Sequence, residues 1–162
     1  MIARVVAAGG LAILALSFPL QASAARTMVI RLTSVTTSVK PHDVAPTGVS
    51  KGDNYLATSR LLNRVPQFGK PKGAVVGTDR GTLTILTKTT GKSAGVAKLP
   101  GGTIRFQGSG RLGTSSTIPV VGGTGDFKGA HGTLLVNQLG NTTYNTYRLT
   151  LPGKAKTKAG AG

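Results

Sequence analysis

"VVGGTGDFKGAHGTLLV", residues 120–136, sets five glycines (Gly122, Gly123, Gly125, Gly129 and Gly132) between two apolar runs. A little upstream, "GSGRLG" (Gly108–Gly113) spells G-x-G-x-x-G. Glycines in such runs either cradle a phosphate or turn the chain between strands. A dinucleotide fingerprint must come after a strand and open a helix, because the helix N-terminus supplies the anion-binding amides. The residues after Gly113 are "TSSTIPVV", rich in β-branched side chains and interrupted by Pro119, so no helix starts there. No complete G-x-x-x-x-G-K-S/T loop is present, and "GGTGDFKG" also runs into an apolar, strand-like segment. The glycines therefore read as turn residues, filling backbone positions open to no other side chain.

Outward from this stretch the same texture continues. Beyond the first 24 residues, apolar side chains nowhere recur at i, i+3, i+4, i+7. Thr, Val, Ile and Gly dominate, the composition of short strands punctuated by turns. Strand-like segments run over Arg26–Val39, Asn54–Leu62, Gly73–Thr89 (broken at Asp79–Gly81, with Asp79 a turn residue), Ala94–Pro100, Gly101–Gly110, Thr117–Val121, Gly132–Leu139 and Thr142–Leu151. That is eight or nine strands. Residues 40–53 and 63–72 carry Pro and Gly and read as loops. No shift in composition divides the chain, so the pattern predicts one all-β domain, a sandwich or a barrel.

The N-terminus carries Arg4, an apolar stretch from Val5 to about Leu20, and then Ala22-Ser23-Ala24. These are the three parts of a secretory signal peptide, with cleavage near Ala24. The expected organisation is a leader at 1–24, a β-domain at 25–152 and a basic, disordered tail at 153–162, with the mature protein secreted. The chain has no cysteine, so packing alone must hold the exported domain, and thiol chemistry is excluded. Twenty Lys and Arg face four acids, a formal net charge of +16. The cations are scattered, and with no Trp, four Phe and three Tyr few rings are available for base stacking. Specific nucleic-acid binding is not expected. Contact with an anionic cell-wall polymer is the second reading of the charge.

The sequence also resembles the allene oxide cyclase and dirigent barrel superfamily. "VGGTGDFKGAHGTLLV" is similar to its G-G-T-G-x-F-x-x-A-x-G segment. "SKGDNYLATSRLLN" (Ser50–Asn63), "FGKPKGAVVGTDRGTLTI" (Phe68–Ile85) and "LPGGTIRFQGSG" (Leu99–Gly110) match further family segments in order. The likeness covers roughly Thr33–Leu151, and small secreted bacterial members look most similar. It implies a single closed antiparallel barrel of about eight strands. Its apolar lumen would hold a small hydrophobic or phenolic ligand and steer cyclisation or coupling. If the protein is an enzyme, the resemblance implies isomerase or cyclase chemistry without a cofactor. Plant relatives are often trimers, which leaves a homotrimer open.

For candidate catalytic groups, the resemblance places the turn holding Asp126 near the barrel mouth. There Asp126 could exchange a proton with a ligand, or it could cap its own turn. Asp53 matches the family's Gly-Asp and could line the barrel or orient a loop. His131 stands where dirigents carry Arg, replacing an obligate cation by a titratable imidazole. Tyr147 alternates in phase with Leu149 and Leu151, so its ring faces inward, as a ligand contact or as core. Tyr55 and Asn137 complete the candidate ligand-binding set, while Arg105 and Arg148 face either pocket or solvent. His42 and Asp43 are neighbours whose side chains point apart in extended chain. Two distant histidines without a carboxylate cluster make no metal site. "NTT" at Asn141–Thr143 spells a glycosylation sequon.

Overall fold

A computed structural model describes residues 24–113, 115–139 and 142–153. The expected leader up to residue 23, Asn141 of the sequon and the tail from residue 154 lie outside the described residues. Among the described residues, no helix is long and apolar enough to cross a membrane.

Eight antiparallel strands close into a barrel in simple sequential order: β1 (Arg26–His42), β2 (Asn54–Asn63), β3 (Val75–Thr87), β4 (Thr90–Leu99), β5 (Gly102–Arg111), β6 (Ser115–Gly123), β7 (His131–Leu139) and β8 (Thr142–Leu151). β8 pairs back onto β1, from Arg26 opposite Leu151 to Ser34 opposite Thr143. Closure removes every free sheet edge but one interrupted seam. β5 and β6 share only the pairs Ile104–Gly123, Arg105–Gly122 and Phe106–Val120. Beyond them Pro119, which has no amide hydrogen, faces Gly108, and the ladder stops.

Two sequence expectations change here. The break expected at Asp79–Gly81 does not exist, because β3 runs straight through it, with Asp79 opposite Ser59 on one side and Ala97 on the other. His42 ends β1, paired with Asn54, rather than lying in a loop.

The inward side chains of the two barrel halves differ. At the end where β1 starts, Ile30, Leu32, Leu61, Leu99, Ile104, Tyr147, Leu149 and Leu151 are all buried in one cluster. The glycine-rich stretch closes this end. It leaves β6, makes a single 3-10 turn at Gly125–Phe127, and drives the Phe127 ring into the cluster, where it is 1% exposed. Gly125 has φ +59°, and an added Cβ there would strike the carbonyl of Gly101, so only glycine serves. The amides of this turn are already used. Thr124 N–H donates to Thr103 O, Asp126 N–H to Gly101 O, Phe127 N–H to Thr124 O, Lys128 N–H to Gly125 O and Ala130 N–H to Phe127 O. Few donors are left for a phosphate, so the glycines form a strap that corks the barrel.

Candidate functional site

The other half of the lumen is hollow. A cavity of about 350 Å³ opens between the strand ends near Val39, Tyr55, Leu83 and Ser93, and reaches down to Ile118 and Leu134. Its size is set by glycine. Gly81 and Gly95 face each other across β3 and β4, and Gly95 pairs with Phe106 of β5. A Cβ on Gly95 would meet Phe106 Cζ at 2.5 Å. The phenyl ring therefore lies against bare backbone and leaves the space beside it open. Glycines inside strands commonly mark such close approaches.

At the base of this cavity the lining turns polar. Ser34, Ser59, Asp79 and Asn145 all reach it. Asp79 is the only carboxylate here. Burial pushes its carboxyl above the ordinary carboxylate value, while the hydroxyls of Ser59 and Ser34 favour the anion more weakly. Below it lies Tyr147, wholly buried. Burial, and secondarily the charge of Asp79, drive its phenol far above the usual tyrosine range, so it stays neutral. Two buried atoms at this level, Asn145 Oδ1 and Tyr147 OH, have no hydrogen-bond partner. A buried polar atom without a partner costs free energy, and evolution seldom leaves two in one place without a use. The set is an acid whose pKa burial raises, a neutral phenol and an unpartnered acceptor, the last two sealed beneath a mainly apolar chamber.

Of the residues singled out in the sequence, this geometry assembles only two. Tyr55 lines the upper wall of the cavity, and Tyr147 lies inside, beneath the floor. Asp126 is exposed on the strap at the corked end. The expectation that its turn sits at the mouth is corrected, because the Phe127 plug fills that end. His131 begins β7 at the same corked end and is exposed. Asn137 lies out of phase with the inward-facing Leu134 and Val136, and its side-chain oxygen accepts from Ser115 Oγ at 2.8 Å on the outer wall. Arg105 and Arg148 are exposed and also face outward.

Asp53 is fully buried but outside the cavity. Its carboxylate accepts from the amides of Ser50 (2.7 Å) and Val44 (2.9 Å) and from Ser50 Oγ (3.1 Å). Led by the Ser50 amide, these bonds hold its pKa below the ordinary value. Asp53 thus ties down the loop between β1 and β2, the loop-orienting alternative of the two.

Sequence reasoning missed Asp79 because "TDRG" reads locally as a turn. The signal available was phase. Asp79 lies in register with Gly77, Gly81, Leu83 and Ile85, a period of two that a turn would interrupt.

Comparison with known proteins agrees with this architecture. A family profile described as "Dirigent-like protein" matches residues 33–151. Among solved structures, a pyocyanin demethylase superposes with a TM-score of 0.65 at 21% identity, covering 75% of this chain and 99% of that one. A pterocarpan synthase dirigent protein gives 0.61 at 13% identity, covering 90% and 99%. A Diels-Alderase from Streptomyces koyangensis gives 0.59 at 18% identity, covering 82% and 68%. At these identities the likeness speaks for the fold. No curated protein sequence matches.

Proposed function

The chain belongs to the dirigent-like protein family, and from that premise we propose that the hollow half of its barrel binds a small apolar or phenolic molecule and steers its cyclisation or coupling. The observation that carries this reading is a hollow, mainly apolar lumen with the Asp79 carboxyl at its base and two unpartnered polar atoms just behind it. The names of barrels with the same fold, a pterocarpan synthase and a Diels-Alderase, describe ring-forming chemistry and support it. The leader-like N-terminus supports a site of action outside the cytoplasm.

The division of labour is set by the lining. The Phe106 ring and the aliphatic walls hold one conformer of a flexible or reactive ligand, so that reacting atoms approach in one geometry. The Asp79 carboxyl, its pKa raised by burial, exchanges a proton or a hydrogen bond with a ligand oxygen as charge develops there. Tyr147 OH and Asn145 Oδ1 lie sealed just behind the floor of the cavity, inside the wall rather than on its surface.

The test uses the neutral dye N-phenyl-1-naphthylamine. Ala57 lines the chamber, and filling it with Ala57→Trp should weaken dye binding by about tenfold or more, the scale set by losing most of one apolar contact surface. Asp79→Asn should leave dye binding intact and abolish turnover of any cyclising substrate found by screening. Dye binding unaffected by Ala57→Trp would remove the lumen from the proposal.

A further inference from the structure

A second concavity lies on the outside of the barrel, remote from the lumen. It has a volume of about 450 Å³ and is walled by Arg31, Arg64 and Arg148 around Thr146, with Val29 and Leu135 beneath. The register explains the convergence. Arg31 of β1 sits directly opposite Thr146 of β8, and Arg148 lies two residues further along β8 on the same outer face. Arg64 arrives from the far side. Just past β2, it reaches across the outer face of β1 and lays its guanidinium over the ring of Tyr144, 4.5 Å from the centroid. The three cations thus flank Thr146 on three sides. From Tyr144 to Arg148 the strand spans about 13 Å at roughly 3.3 Å per residue.

The backbone that carries Arg31 and Arg64 is pinned. The Gln67 side chain brackets Arg31, accepting from its N–H (3.0 Å) and donating to its C=O (2.7 Å). Arg64 N–H donates to Arg31 O at 3.0 Å. Asn63, 2% exposed, donates to the carbonyls of Gln67, Lys70 and Pro71 and holds the loop in place. Yet among the described residues nothing neutralises the charge. The guanidiniums of Arg31 and Arg148 have no hydrogen-bond or ionic partner among the described residues. The four acids lie elsewhere: Asp43 and Asp53 beside or in the β1–β2 loop, Asp79 in the lumen, and Asp126 on the strap. Three like charges converging without a counterion are unfavourable in the free protein, and the net charge of +16 deepens the positive potential.

We propose that this outer concavity is a binding site for a short chain of phosphoryl groups. Arginine's planar fork matches phosphate oxygens two at a time. The three arginines are strung along the β1–β8 surface at the level of Tyr144, Thr146 and Arg148 rather than gathered at one point, an arrangement that suits linked phosphoryl groups better than a lone orthophosphate. The site is independent of the lumen, so either proposal can fail alone.

The experiment is calorimetric titration with tripolyphosphate, orthophosphate and a poly-glutamate of matched charge. Variants are Arg31→Gln/Arg148→Gln and, as a control removing the same charge from the opposite wall, Arg80→Gln/Arg105→Gln. Circular dichroism checks the fold of each. The wild type should bind tripolyphosphate more tightly than either other anion. The first pair should lose at least about tenfold in affinity and the control pair less than about threefold. Should the first pair not fold, Arg31→Lys/Arg148→Lys replaces it, keeping charge and losing the fork, with about a threefold to tenfold loss expected. Equal losses in both pairs would reduce the effect to bulk charge and overturn the proposal. Poly-glutamate binding as tightly as tripolyphosphate, or no loss in the first pair, would overturn it too.

Discussion

Asp79 shows how one side chain acquires chemistry from its surroundings. Its sequence neighbours, Thr78, Arg80 and Gly81, are unremarkable. Burial raises its pKa above the unfolded value of 3.8. The folded protein therefore holds this proton after the unfolded chain has released it. Stability falls as pH rises from about 3.8 through the raised folded value, and the penalty is complete above that. Asp79→Asn should accordingly melt at a higher temperature than wild type at neutral pH. The gap should close as pH drops below about 4, and calorimetric scans across about pH 3–8 would show it. A stability gain at the expense of turnover is what a strained functional group predicts. Tyr147→Phe makes a related case. Removing a buried hydroxyl without a partner should leave stability unchanged or raise it by about 1 kcal/mol, measured by urea denaturation.

Strands and loops carry different sensitivities. On β4, Gly95→Ala would push a methyl into Phe106 Cζ and, at 2.8 Å, into the backbone carbonyl of Arg80. Because backbone cannot move aside as a flexible side chain does, the expected loss is about 1–3 kcal/mol in chemical denaturation. The β1–β2 loop depends on Asp53. Its depressed pKa means that its contribution is full above the unfolded value and disappears as pH falls through the lower folded one. Asp53→Ala should melt lower than wild type at neutral pH and converge with it in strong acid. The interrupted β5–β6 seam is the weakest ladder of the barrel, so amides of Gly108–Arg111 on its open side should exchange faster than those of β7 and β8. Hydrogen-exchange mass spectrometry resolves that difference.

For the molecule as a whole, the barrel is corked at one end and hollow at the other, and Phe127 is the cork. Phe127→Ala should cost about 3–5 kcal/mol in urea denaturation, the usual scale for a buried phenylalanine. What the sequence by itself determined was largely local: extended segments in their order and glycine as a turn rather than a phosphate seat, hence an all-β domain whose closure into a barrel only the family resemblance implied. Alternation and turn chemistry act over a few residues, so they survive without knowledge of partners. Only the tertiary structure decided which acid enters the lumen, which end is sealed and which arginines meet. Extra residues at Thr37 on β1, Val76 on β3 and Val121 on β6 change which face the rest of those strands takes, because a one-residue slip reverses every side chain beyond it. The seal itself depends on Asp126 N–H meeting Gly101 O, a contact between distant stretches of chain that no local pattern encodes.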